Sequence, residues 1–148
     1  RQIIALHVID GYQIGKAYKL PKPILDIIQQ HHGNSIIEFF YELAKEQKSS
    51  TNPDDFRYPG PRPNTIESSI IMICDILEAA FRSRGSELYN NRKLSEEYAQ
   101  ELIWSKIEDG QLDESPLTIG NIKKILPRIL PMVLRAYHTR IPYKLLTN

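Results

Sequence analysis

The apolar residues of this chain recur at helical spacing, and nowhere do they alternate convincingly as a half-buried strand requires. That pattern points to an all-α fold. Ile3, Ile4, Leu6, Val8, Ile9 and Ile14 mark a rather apolar first helix that ends near Lys19. "LPKPILDIIQQHHG" is a second, with Pro23 suited to a first turn, Ile24, Leu25, Ile27 and Ile28 as its buried stripe, and Gly33 as its C′ stop. Ser35 and Glu38 read as a capping box that opens a third helix over "IIEFFYELAKEQ". The pattern then stops: "KSSTNPDDFRYPGPRPN" is loop, stiffened by prolines at 53, 59, 61 and 63. Asn64 and Glu67 open the most apolar helix, "IESSIIMICDILEAAFRSR". Ser95 is the expected N-cap of a helix running through Ile107, with Gly110 just beyond it. Thr118 is the expected cap of the last, in which Pro127 and Pro131 predict a kink or break. Repeats and low-complexity tracts are absent.

Length and charge narrow the function classes. At 148 residues the chain can bury the core of one domain, taken here as residues 1–148. Its 41% hydrophobic and 25% charged residues are ordinary for a globular protein. With 19 Lys and Arg against 18 Asp and Glu, no global field would attract polymeric nucleic acid or an anionic membrane, so an anionic ligand needs a local site. A single cysteine, Cys74, forms no internal disulfide and reads as a small buried apolar residue. No apolar run approaches the ~20 residues that cross a bilayer. The opening "RQIIALHV", without an initiator Met, reads as a helix already under way, so the expectation is a fragment, incomplete at its N-terminus.

Three sets of residues could carry chemistry. His31 and His32 end the second helix, and His7 lies on the helix before it. Helices joined by a short connection pack side by side, so the three imidazoles can converge on a metal; alternatively, the doublet complements a helix C-terminus and His7 is structural. Asp75 sits within "IIMICDILEAA", where a carboxylate must be paired, hydrogen-bonded, at the edge of the stripe, or bound to metal. One carboxylate with three imidazoles suits Mn, Fe or Zn. The loop "FRYPGPRPNT" offers Arg57, Tyr58 and Arg62, either as pre-ordered contacts to phosphate and base or as a braced surface connection. Arg82 and Arg84 complement the end of their own helix, and His138 and Arg140 read as structural.

Taken in order, "HVIDGYQIGKAYKLPKPILDIIQQHHGNS", "FRYPGPRPNTIESSIIMICDILEAAFRS", "KIEDGQLDESPLTI" and "YHTRIPY" resemble the seven-transmembrane HD-domain receptor family over nearly the whole chain. The resemblance implies an HD-type helical bundle, two divalent ions (Mn or Fe), and hydrolysis of cyclic di-AMP to pApA. It places His7, His31 and His32 as ligands of one ion and Asp75 as the carboxylate that closes the set on the other, with no catalytic residue beyond the ligands. It also implies a cytoplasmic domain of a bacterial membrane protein, attached through upstream segments, with room for a homo-oligomer. Two departures stand out. The family's His-Asp doublet is absent, since "HD" occurs nowhere in the sequence, and is expected upstream. "HHGNS" has Asn34 where the family has Thr. A fragment with an incomplete site would be weak or inactive alone. The competing reading is a degenerate HD domain that senses a nucleotide or docks a protein without catalysis.

Overall fold

The computed structural model describes residues 2–47, 51–84, 88 and 90–138. Among the described residues six α-helices carry the fold: α1 (Gln2–Ala17), α2 (Lys22–Gln30), α3 (Glu38–Gln47), α4 (Ile66–Arg84), α5 (Arg92–Glu108) and α6 (Ile119–His138). A short 3-10 helix, Pro53–Phe56, lies in the proline loop. Among the described residues the β structure amounts to one isolated antiparallel bridge, Ile36 to Arg57. The all-α reading holds. Among the described residues no helix is long and apolar enough to cross a membrane.

The core forms where α4, α5 and α6 meet, with Ile73, Leu77, Phe81, Ala99, Ile103 and Leu130 buried together. α4 also packs on α2, and α2 on α1, so α4 joins the core to the pair of helices that bears the histidines. The α1–α2 contact is close for a reason visible in the residues. Gly11 and Gly15 share one face of α1, and a Cβ on either would press on Ile28 or Leu25 of α2 at 3.2 and 2.9 Å. His7 is the next position along that same i, i+4 row. Antiparallel packing therefore brings it to the end of α2, where His31 and His32 lie.

The helix ends show where local signals were read well and where tertiary contacts redirected them. α1 closes near Lys19 as expected, with Lys19 at φ 57° and Leu20 N–H bonded to the Gly15 carbonyl at 2.9 Å, a Schellman pattern. Thr118 caps α6, its hydroxyl accepting from Asn121 N–H at 3.1 Å. Ser35 does not cap α3: its hydroxyl donates to the His32 carbonyl, and residues 35–37 pair with the proline loop, delaying the helix to Glu38. Asn64 is engaged by Gln30, and the box at α4 is made instead by Thr65 and Ser68. α5 is capped by Asn91, while Ser95 lies buried and donates to the Asn91 and Leu88 carbonyls. The expected break at Pro127 and Pro131 is absent. α6 runs through both, and the two prolines lie on its exposed face. Arg140 lies outside the described residues, as does the side chain of His138.

Candidate metal centre

Each imidazole is oriented by its own helix. His31 Nδ1 bonds the Ile28 carbonyl at 2.9 Å, and His7 Nδ1 bonds the Ile4 carbonyl. A neutral imidazole that donates through Nδ1 presents Nε2 as a bare lone pair. The two Nε2 atoms face one another at 3.3 Å. With both protons held at Nδ1, that approach is not a hydrogen bond, and a shared cation would relieve it. Neighbouring ligands of an octahedral or tetrahedral ion, each bound at ~2.0–2.1 Å, stand roughly 2.8–3.4 Å apart, so the spacing fits a metal. One nitrogen from each of His7, His31 and His32 lies within 4.8 Å of the others, which makes the three a candidate metal-binding group.

His32 is the most enclosed in its electrostatics. Burial, then the neighbouring His31, His7 and Lys106, lower its pKa from 6.5 to about 3, so it stays neutral and able to ligate. Its Nδ1 faces Asp75 Oδ2 at 3.3 Å. Asp75 stands outside the three-histidine group and approaches His32 from the α4 side. Burial pushes its carboxyl up and Glu78 adds to that, against the opposing pull of His31, His7 and Arg82. Cys74 is half-buried, its thiol raised by burial and by Asp75, which leaves it an unreactive neighbour.

The proline loop divides in function. Tyr58 stacks on His32, ring centres 4.2 Å apart, and meets His7 edge-on at 6.0 Å. Arg57 donates to Asp54, to the Asn34 carbonyl and to Asp109 at 2.9, 2.9 and 3.2 Å. Arg62 reaches Asn34 Oδ1 and Asp113 at 3.4 and 3.5 Å. Both guanidinium groups are thus engaged inside the protein. Of the arginines ending α4, Arg82 pairs with Glu78, and Arg84 lies over the Tyr98 ring at 4.5 Å. Sequence reasoning missed Gln111 and Lys106. Gln111 is wholly buried behind the histidine turn, and the charge of Lys106 is felt at His32. The signal for the first was Gly110 in "DGQ", which fixes where residue 111 points. A cleft of about 580 Å³ between α5 and α6, lined by Trp104 and Leu126 among others, contains none of these histidines.

A family model described as HD domain matches residues 1–80, a stretch holding His7, His31, His32, Asp75 and the proline loop. The chain belongs to the HD domain family. This HD domain is 37% identical over 143 residues to the cyclic-di-AMP phosphodiesterase PgpH of Bacillus subtilis (strain 168), covering 97% of the chain and 20% of that protein. It is 40% identical to PgpH of Listeria monocytogenes (serotype 1/2a, strain 10403S), with the same coverage. The chain therefore spans about one fifth of the length of these curated relatives. Among solved structures, the HD domain of L. monocytogenes PgpH in complex with cyclic di-AMP superposes with a TM-score of 0.84 at 38% identity, covering 97% of this chain and 66% of that one. A second structure of the L. monocytogenes PgpH HD domain gives 0.81 at 38% identity, covering 93% of this chain and 63% of that one.

Proposed function

We propose that this HD domain is the catalytic unit of a metal-dependent phosphodiesterase that hydrolyses cyclic di-AMP to pApA within a longer, membrane-anchored protein, facing the cytoplasm. The observation that carries the metal reading is the pair of bare Nε2 lone pairs 3.3 Å apart, with His32 alongside. The similarity to two PgpH proteins and to a PgpH HD domain bound to cyclic di-AMP supports the substrate.

His7, His31 and His32 would hold one divalent ion through nitrogen, and Asp75 would close the set on a second, with Mn or Fe the expected metals. Bound there, divalent ions supply Lewis-acid stabilisation of phosphate oxygens and make water a better nucleophile near neutral pH. The chain's own contribution is geometric and electrostatic. The Ile4 and Ile28 carbonyls hold the proton on Nδ1 of His7 and His31, so Nε2 faces the site. Burial keeps His32 neutral, with Asp75 Oδ2 3.3 Å from its Nδ1. In the reaction a water oxygen bonds to phosphorus as the P–O3′ bond opens, leaving a 5′-phosphate and a free 3′-hydroxyl. Tyr58, beside the cluster, is the residue we assign to a base of the substrate. A phosphate reaching Arg57 or Arg62 would have to take the place of Asp54, Asp109, Asn34 or Asp113.

The deciding experiment pairs metal analysis with a manganese-supplemented cyclic di-AMP cleavage assay on the intact protein. Bound metal with pApA as product is expected. Metal without cleavage would move the assignment to a sensor or another phosphoester, and a metal-free, inactive protein would return the histidines to a structural role.

A further inference from the structure

We infer that Gln111 is a positioning residue that fixes the backbone turn carrying His31 and His32. The inference rests on the metal reading of those histidines given above. Gly110, at φ 69°, ends α5 in a Schellman pattern in which Gln111 N–H bonds the Lys106 carbonyl at 2.9 Å. That closure aims the Gln111 side chain at the 31–34 turn, where it is wholly buried. There its carboxamide is fully used. Oε1 accepts from Asn34 N–H at 3.1 Å, and Nε2 donates to Asn34 Oδ1 at 2.9 Å and to Asp109 Oδ2 at 2.8 Å.

Asn34 is gripped from other directions as well. Arg57 donates to its carbonyl at 2.9 Å, and the same guanidinium binds Asp109. Backbone N–H, backbone carbonyl and side-chain oxygen of the residue two beyond His32 are therefore all held by distant side chains. Gly33 makes room for this: a Cβ there, at φ 57°, would stand 2.3 Å from Gln111 Oε1. On the other side of the doublet, the Gln30 carboxamide pairs reciprocally with Asn64, at the entry to the helix that bears Asp75. The hydrogen bonds of Gln111, fully satisfied in a low-dielectric setting, fix one arrangement of the turn. What they fix is the direction of two adjacent metal ligands.

The test uses the intact protein with Gln111→Glu and Gln111→Met. The first keeps the acceptor for Asn34 N–H but loses both donors and sets a carboxylate against Asp109; the second keeps volume and loses every bond. Three readouts are compared: a thermal melt, Mn2+ affinity by calorimetry, and the visible absorption spectrum of the Co2+-loaded protein, which reports ligand geometry. Variants that still fold should bind Mn2+ roughly 10- to 100-fold more weakly, with an altered Co2+ spectrum at saturation. Folded variants with wild-type affinity and spectrum would overturn the inference. So would loss of folding in both, which would make Gln111 a determinant of the fold itself. Wild-type protein that takes up no Mn2+, behaving as His31→Ala/His32→Ala does, would instead sink the metal reading and this inference with it.

Discussion

Metal-free protein should lose stability on mild acidification because of one residue, His32. Its pKa is 6.5 unfolded and about 3 folded, the depression arising first from burial and then from His31, His7 and Lys106. The folded state therefore binds fewer protons than the unfolded state wherever the pH lies between those values. Stability is unaffected above pH 6.5, falls as the pH drops through 6.5, and levels off near 3. Linkage over this window gives a loss of about 2 kcal/mol on going from pH 7.5 to pH 5. The figure depends little on the folded value, since His32 is still neutral at pH 5. Its side chain is only 19% exposed, so solvent screening does not erase the effect. Asp75 works in the opposite sense: its raised carboxyl takes up a proton in the folded state and relieves a burial cost as the pH falls. Because that shift comes from burial and Glu78, opposed by His31, His7 and Arg82, it persists when His32 is replaced. Urea melts of wild type and His32→Asn at the two pH values, with chelator present, isolate the term. Wild type should lose about 2 kcal/mol more than the variant, and equal losses in the two proteins would refute the argument.

Gly33→Ala should destabilise by about 3 kcal/mol, from ~1–2 for a left-handed non-glycine residue and ~1–3 for displacing the buried hydrogen bonds of Gln111; a urea melt showing under about 1 kcal/mol would mean the turn relaxes freely. Leu77→Ala removes a fully buried side chain of the α4 core and should cost about 2–5 kcal/mol in the same assay without changing metal affinity. Replacing His31 and His32 together by Ala should strip metal, read by elemental analysis, and retained metal would remove them as ligands. Tyr58→Leu should raise KM for cyclic di-AMP while metal content holds, and an unchanged KM would take Tyr58 out of the substrate site.

The fold was legible because helical periodicity is a property of the chain alone, and the apolar faces of α2, α4 and α6 announce themselves. The starts of α3, α4 and α5 were misplaced by a few residues for one recurring reason: a polar side chain that could cap its own helix was claimed from elsewhere. Asn64 answers to Gln30, Ser35 to the His32 carbonyl, and Ser95 to Asn91 and Leu88. The three histidines were legible as candidates, and their convergence followed from adjacency of α1 and α2. Their register did not, although the row His7, Gly11, Gly15 carried it. The arginines of the proline loop show what periodicity and local charge leave out. Charge and proline bracing suggested ligand contact, yet the acids that engage Arg57 and Arg62 include Asp109 and Asp113, about fifty residues away in sequence.

The same distribution explains why the site is built as it is. A helix end leaves carbonyls unpaired and lets two successive side chains point the same way, which is what the ligand roles proposed for His31 and His32 would require. Such an end is also where backbone most readily frays, and a metal site tolerates little error in ligand direction. The chain answers by closing the α2 end with polar side chains from the ends of other elements: Asn64 before α4, Arg57 after the 3-10 helix, and Gln111 after α5. The apolar core holds α4, α5 and α6 rigid, and these polar contacts carry that rigidity across to a turn the core does not cover. On this view the segments "RYPGPRPN" and "DGQ" serve to present the histidines, and changes in them should alter the geometry of the proposed metal site before they alter the fold.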